Sequence, residues 1–149
     1  MLSYTIYSEA GGVGKTTLAA SLATAHAEHG REVLAIDLDP QQGSLTYLLG
    51  VNAPRDDGDA DNIARHLIDR PLGEFNDIVE STEAGFDLVP NHDMLENLPN
   101  LLTRAEEMAE DLGEHFAPNE RLLTVLGDSG IIDNYDTVII DPPATAGPH

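Results

Sequence analysis

A glycine-rich segment near the start of the chain carries the residue types that proteins use to hold phosphate groups. These residues are Gly11, Gly12, Val13, Gly14, Lys15, Thr16 and Thr17. Glycines let successive backbone N–H groups point at phosphate oxygens, and a helix beginning at Lys15 adds its positive N-terminal end. We expect Lys15 to bridge the β- and γ-phosphates, Thr16 to bind Mg²⁺, and Thr17 to contact the α-phosphate. The segment therefore predicts a nucleoside triphosphate site with ATP and Mg²⁺ as cofactors, although Glu9 replaces the first glycine of the general pattern.

Lys15 is the only lysine among the 149 residues of the chain. The formal net charge is −20, because 27 acidic residues face only 7 basic ones. Hydrated carboxylates keep such a surface soluble and dense salt screens their repulsion, so we hypothesise a halophilic protein. The alternative is an acidic mesophilic protein, and full stability after dialysis to low salt would favour it. A single lysine at this position strengthens the prediction of phosphate binding.

Further carboxylates follow two predicted strands, where ligand sites of open α/β sheets lie. Asp37 and Asp39 flank Leu38 at the end of one strand, and Asp141 ends the last strand. One carboxylate of the first pair could hold a Mg²⁺-bound water while the other orients the attacking water. Asp141, after three apolar β-branched residues, is typical of a Walker B strand and would reach Mg²⁺ through water.

These residues depend for their positions on strands that alternate with helices. Buried apolar runs predict strands, and helical spacing of apolar residues predicts helices. The strands are predicted at residues 2–7, 33–36, 86–89 and 137–140, and the helices at 16–28, 44–49, 60–68, 98–112 and 119–126. The alternation predicts an α/β, doubly wound, mainly parallel sheet with flanking helices, the P-loop NTPase fold. Because such a domain normally continues with further βα units, we expect residues 1–149 to be the N-terminal part of one truncated domain.

The apolar patterns also predict which helix faces are buried. In the first helix, Leu18, Leu22 and Ala25 lie on one apolar face at helical spacing. The apolar stripe of the helix at 98–112 is expected to be core, with its acidic residues outside. The acidic run 55–59 is interpreted as a solvated loop. The six histidines lack metal-ligand spacing and are interpreted as surface or core polar residues.

Composition excludes several classes of function for this segment. It has no cysteine, and therefore no disulfide, Fe–S ligand or thiol nucleophile. Few lysines and arginines argue against nucleic-acid binding by this surface alone. No apolar run is long enough for a transmembrane segment, and the chain opens directly on a strand, so we expect a cytoplasmic protein without a signal peptide.

The three motifs, in this order, resemble the ParA/MinD family of deviant Walker A ATPases over essentially the whole chain. The segment 11–17 resembles the phosphate-binding loop of the family, and the segment 37–41 resembles its Asp-x-Asp-Pro-Gln motif. The segment 141–147 is similar in length to its Asp-x-Pro-Pro switch. The Asp-Pro-Gln form resembles ParA/Soj partition proteins more than MinD, and the segment 8–12 resembles a haloarchaeal branch.

The resemblance implies a slow, partner-stimulated ATP hydrolase that acts as a switch in chromosome or plasmid partitioning or in cargo positioning. It implies an ATP-dependent homodimer, a ParB-like or other activating partner, and non-specific DNA binding through a C-terminal half that this chain lacks. By carry-over, Lys15 and Asp39 are the catalytic residues, and Asp39 orients the attacking water. Thr16, Asp37 and Asp141 are the metal residues by the same carry-over.

The chain departs from the family pattern at Ala10, where the family has a second lysine that reaches the partner's nucleotide across the dimer. That cation stabilises transition-state charge, so the departure affects trans-activated hydrolysis rather than nucleotide binding. An arginine from the absent half or from a partner could substitute. The alternatives are a MinD-like membrane-positioning ATPase, a nucleotide-binding regulator with little hydrolysis, and a metal-cluster carrier of the same superfamily, which the lack of cysteine disfavours.

Overall fold

The computed structural model describes residues 2–5, 13–41 and 44–143, with side chains from Thr16 onward. The helices are α1 (Val13–Glu28), α2 (Leu45–Leu48), α3 (Ile63–Leu67), α4 (Leu98–Asp111) and α5 (Arg121–Ser129). The strands are β1 (Leu2–Thr5), β2 (Val33–Asp37), β3 (Glu80–Ser81), β4 (Asp87–Val89) and β5 (Thr137–Asp141). Short 3₁₀ helices cover Phe75–Ile78, Asp93–Asn97, Pro118–Glu120 and Ile131–Asn134.

The strands form one sheet in the order β1-β5-β2-β4-β3. Strands β1, β5, β2 and β4 run parallel to one another, and the two-residue β3 pairs with β4 in the antiparallel direction. Because the long strands are parallel, their carboxyl ends lie along one edge of the sheet, which is where α/β proteins bind ligands. The predicted doubly wound, mainly parallel sheet is confirmed.

Both faces of the sheet are buried by helices. On β2, Leu34 and Ile36 belong to a core shared with α3 and α5, whereas Val33 and Ala35 belong to a core shared with α1 and α2. Successive side chains of a strand point to opposite faces, so a strand covered on both sides is apolar at every position. This explains why β2 reads as a continuous apolar run.

The predicted elements have counterparts among the described residues, with shifted bounds. Helix α1 begins at Val13, three residues before the start of the predicted helix at Thr16, and residues 6 and 7 of the first predicted strand lie outside the described residues. Helix α3 is shorter than predicted because Asn62 caps it, accepting a hydrogen bond from the Arg65 N–H. Strand β3 was missed, since two exposed residues carry no apolar pattern.

The apolar face of α1 expected from the sequence is only partly the buried one: Leu22 is partly buried and packs against the core, but Leu18 and Ala25 are not buried. Leu18 is 50% exposed and Ala25 is exposed, whereas Ala19 and Ala23 are fully buried. Small side chains let the helix backbone approach the sheet closely, and a leucine at those positions would hold it away. In a helix built mostly of alanine, leucine and threonine, side-chain size rather than hydrophobicity decided which face is buried.

The prediction that the apolar stripe of α4 is core holds only in part, since Leu98 packs against the core but Met108 and Leu112 do not. Of this stripe only Ala109 is buried, while Met108 is 51% and Leu112 is 63% exposed. The partly buried members are Leu98, Leu101, Leu102 and Ala105. The main contacts of α4 are with the neighbouring 3₁₀ helices rather than with the sheet, so the spacing predicted the helix but not its depth. None of the described helices is both long and apolar enough to cross a membrane.

Candidate functional site

The last residues of β2 and β5 bring two predicted carboxylates side by side. Asp37 and Asp141 are register partners on these neighbouring parallel strands, and both are completely buried. The chain leaves β2 with the Leu38 N–H donating to the Asp141 carbonyl at 2.9 Å. Two motifs about a hundred residues apart in sequence therefore meet at the carboxyl edge of the sheet.

The carboxylate of Asp37 accepts four hydrogen bonds. Its Oδ2 accepts from the Ser44 hydroxyl at 2.7 Å and from the hydroxyl and the N–H of Thr46 at 2.6 and 2.8 Å. Its Oδ1 accepts from the Asp39 N–H at 3.0 Å. Burial raises the pKa of Asp37 to about 6, and these hydrogen bonds oppose the rise because they favour the ionised form. The Thr46 N–H lies in the first turn of α2. By accepting its hydrogen bond, Asp37 caps α2 in place of Ser44, whose side chain makes no capping hydrogen bond.

The loop that carries Asp39 is held by hydrogen bonds from other elements. The Asp39 Oδ1 accepts from the Gln41 N–H at 3.0 Å, and the Asp39 carbonyl accepts from Asn91 Nδ2 at 2.7 Å. The Pro40 carbonyl accepts from the guanidinium of Arg55, which also pairs with Asp93 at 2.9 Å. Asp39 is only 5% exposed, so its orientation is set by the protein rather than by solvent.

Helix α1 brings its first residues to the same edge. The Thr16 hydroxyl is buried and donates to Asp141 Oδ2 at 3.3 Å. Val13, Gly14 and Lys15 form the first turn of α1, and Thr17 is exposed. Gly11 and Gly12, together with Glu9 and Ala10, lie outside the described residues, as does the side chain of Lys15. The structure thus brings Thr16, Asp37, Asp39 and Asp141 together.

The sequence model of the AAA domain family AAA_31 matches residues 3–147, which is almost the whole chain. The chain belongs to this family, as a P-loop ATPase of the ParA/MinD type. The chromosome-partitioning ATPase Soj of Thermus thermophilus is 36% identical over 138 residues, which cover 93% of this chain and 44% of Soj. The chain spans about half the length of the curated relatives it matches.

Solved structures of related proteins share the fold. A cobyrinic acid a,c-diamide synthase from Mycobacterium smegmatis, with bound ATP analogue and magnesium, superposes with a TM-score of 0.78 at 29% identity. The match covers 97% of this chain and 52% of that protein. The ATP complex of McdA from Cyanothece superposes with a TM-score of 0.74 at 28% identity, over 98% of this chain and 49% of McdA. Proteins with this fold therefore bind adenine nucleotide and magnesium.

Sequence reasoning missed three residues that support the carboxylates of this ParA/MinD-type site. Ser44 and Thr46 donate to Asp37, and Asn91 holds the Asp39 carbonyl. Ser44 was predicted only as the start of a helix, and its bond back to the end of β2, 7 positions earlier, leaves no pattern of its own in the sequence. Asn91 had a readable signal, since it is a polar residue just beyond the carboxyl end of β4, where ligand sites lie.

The oxygen atoms gathered here fit a magnesium ion. Mg²⁺ prefers hard oxygen ligands and usually takes one or two from the protein, the rest coming from phosphates and water. The Thr16 hydroxyl and the Asp141 carboxylate face each other at this edge, in keeping with that donor set. Among the residues that the structure describes, no group of three or more His, Asp or Glu could hold a metal ion, and this mode of Mg²⁺ binding needs none.

The described histidines act as structural polar residues where they are buried. His66 bonds Asp61 at 2.8 Å and packs edge-on against Phe75. His92 accepts from the Met94 N–H and bonds the Asp57 carbonyl at 2.9 Å. These contacts agree with the interpretation of the histidines as surface or core polar residues.

Proposed function

We propose that this chain forms the nucleotide-binding part of a ParA-type switch ATPase that binds ATP with Mg²⁺ and hydrolyses it slowly. The observation that carries the proposal is the meeting of Thr16 with Asp37, Asp39 and Asp141 at one edge of the sheet, at the start of α1. Family membership and the nucleotide complexes of proteins with this fold support it.

In this proposal each group has a distinct task. The residues that cradle the phosphates are Gly11, Gly12, Val13, Gly14, Lys15, Thr16 and Thr17. Thr16, through its hydroxyl, and Asp141, through its carboxylate, would hold Mg²⁺. Bound Mg²⁺ would neutralise the charge that develops between the β- and γ-phosphates. Asp37, whose oxygens already accept four hydrogen bonds, acts on the metal through water or through the placement of Asp39.

Asp39 is the proposed residue that orients the attacking water. Its backbone is anchored at the N–H by Asp37 and at the carbonyl by Asn91. A cleft of about 450 Å³ opens beside it, between the loop 38–41 and the start of α4, with Pro143 on its wall. Positioning and electrostatics supply nearly all of the catalysis in phosphoryl transfer, so a fixed carboxylate beside an accessible cleft suits this role.

The cellular role proposed is partitioning of chromosomes or plasmids, or positioning of cargo, in the cytoplasm. The protein would act as an ATP-dependent homodimer with a ParB-like or other activating partner, and would bind DNA through parts outside this chain. The Soj relative favours this reading over a MinD-like one. Ala10 supports a second candidate, a nucleotide-dependent regulator with little hydrolysis, because the family's cross-dimer lysine is absent.

Lys15→Ala tests nucleotide binding. We expect the Kd for MgATP, measured by titration calorimetry, to rise about tenfold to a hundredfold, the equivalent of one charge-assisted hydrogen bond to phosphate. The matched control is Arg31→Ala, which removes one positive charge just beyond the other end of α1, where the Arg31 guanidinium lies 2.6 Å from the His26 ring nitrogen. Equal affinity in both variants would contradict the proposed phosphate site, and MgATP binding without turnover would favour the regulator.

A further inference from the structure

Asn91 lies just beyond the end of β4 and is 2% exposed. Its side chain reaches the loop that follows β2 and carries Asp39. The Nδ2 group donates to the Asp39 carbonyl at 2.7 Å and to the Ser44 hydroxyl oxygen at 2.9 Å. The backbone N–H of Asn91 donates to the Thr46 hydroxyl oxygen at 2.9 Å. One residue therefore contacts the loop of Asp39 and both hydroxyls that serve Asp37.

The direction of these hydrogen bonds fixes the hydroxyl protons. Ser44 and Thr46 each accept one bond from Asn91, so each hydroxyl has its single proton left to donate. Both protons go to Asp37 Oδ2, at 2.7 and 2.6 Å. Asn91 thus sets the donors around Asp37 without touching its carboxylate.

The orientation of the Asn91 amide follows from its partners. Nδ2 faces the carbonyls of Asp39 and Gln41, the latter at 3.5 Å. A flipped amide would set its own oxygen against those carbonyl oxygens and lose the bond to the Asp39 carbonyl. The side chain is therefore locked in one orientation by the loop it holds.

We propose that Asn91 is a positioning residue for ATP hydrolysis, which fixes Asp39 directly and Asp37 through Ser44 and Thr46. The inference rests on the proposed function, since it assigns Asn91 to the hydrolysis half of that site. None of the Asn91 contacts described above involves α1, which carries the phosphate-binding residues. Loss of its amide should therefore affect the chemical step and leave nucleotide binding almost unchanged.

The test compares two buried asparagines in steady-state ATP turnover. Asn62 is 5% exposed, caps α3 and donates to the Ala60 carbonyl. These contacts involve neither Asp37 nor Asp39. Asn62→Ala is therefore a control that loses a similar set of buried hydrogen bonds. We expect kcat of Asn91→Ala to fall about tenfold to a hundredfold below that of Asn62→Ala, as for a slightly misplaced catalytic group. The KM for ATP should change by less than about threefold.

Ser44→Ala provides a milder variant, should Asn91→Ala fold poorly. It breaks only the branch that leads to Asp37 and keeps the bond from Asn91 to the Asp39 carbonyl, so kcat should fall less than in Asn91→Ala. In the double variant the two effects should be less than additive, because the residues share one network.

The outcomes separate this inference from the proposed function. Turnover in the wild-type protein with equal kcat values for Asn91→Ala and Asn62→Ala, each corrected for folded fraction, would overturn the role of Asn91 alone. A rise in KM with unchanged kcat would also overturn it. A wild-type protein that binds MgATP but shows no turnover would overturn both the hydrolysis and the positioning role.

Discussion

The end of β2 and helix α4 both carry acidic and neighbouring apolar residues. The acidic side chains are buried at the end of β2 and mainly exposed on α4. At the end of β2, Asp37 and Asp39 are buried, and donors from two other segments, at Ser44 and Thr46 and at Asn91, converge on them. On α4 the acidic side chains point mainly to solvent, and Met108 and Leu112 are more than half exposed. One region buries charge, and the other exposes apolar surface.

The difference shows where the fold is specific. A buried carboxylate is tolerated only when donors satisfy it, so each partner at the β2 end has a defined position. Exposed leucines on a helix have no such requirement, and single ones are normal on protein surfaces. We therefore expect substitutions at the end of β2 to lower the free energy of unfolding strongly, and matched substitutions on α4 to change it very little.

Of the substitutions at the end of β2 and on α4, Asp37→Ala should have the largest effect on stability. It leaves the hydroxyls of Ser44 and Thr46 and two backbone N–H groups without their acceptor, a loss only partly offset by removing a buried charge. We expect the free energy of unfolding to fall by roughly 3 kcal/mol in urea titrations at constant salt. Asp111→Ala, at the exposed end of α4, is the matched control and should change it by less than about 0.5 kcal/mol.

If Asp37→Ala and Asp111→Ala lowered the free energy of unfolding equally, the proposed difference between the end of β2 and α4 would be wrong. A more stable Asp37→Ala protein would mean that the cost of burying the carboxylate outweighs its four hydrogen bonds.

Ala23→Leu should have an intermediate effect on stability, because it overpacks the core but leaves no buried polar group without a partner. Ala23 is fully buried against the sheet, whereas Ala25, on the same helix, is exposed. Adding three carbons at Ala23 overpacks the core and should lower the free energy of unfolding by about 1–3 kcal/mol. Ala25→Leu adds the same atoms in solvent and should be almost neutral. The reverse ranking, measured by thermal unfolding, would restore the face expected from Leu18, Leu22 and Ala25.

The sheet and the main site residues were predictable because their signals are local. Strands buried on both faces are short continuous apolar runs, and Asp37 and Asp141 follow such runs directly. A parallel sheet then brings strand ends to one edge without any further information. The phosphate-binding segment also has a local signal, but Gly11, Gly12 and the side chain of Lys15 lie outside the described residues, so its role stays a prediction.

The supporting residues and the buried helix faces could not be predicted in the same way. Ser44 and Asn91 act through partners from 7 to 52 positions away, and only the strand order brings those partners together. On α1 the buried positions are alanines, which hydrophobic spacing ranks below leucine, so the distance between helix and sheet had to be known first. On α4 the stripe specified a helix but not what covers it.

Leu112→Ala should have the smallest effect. Leu112 follows α4 and is 63% exposed, so truncation removes little buried surface and should change the free energy of unfolding by less than about 0.5 kcal/mol. Leu126, on α5, is 4% exposed and packs in the core that faces β2, so Leu126→Ala should cost about 2–5 kcal/mol in the same urea titration. A loss above about 1 kcal/mol for Leu112→Ala would mean that this face of α4 is covered in solution. Repeating the titration at several protein concentrations would then decide between a second copy, whose contribution grows with concentration, and a contact within one polypeptide, whose contribution does not.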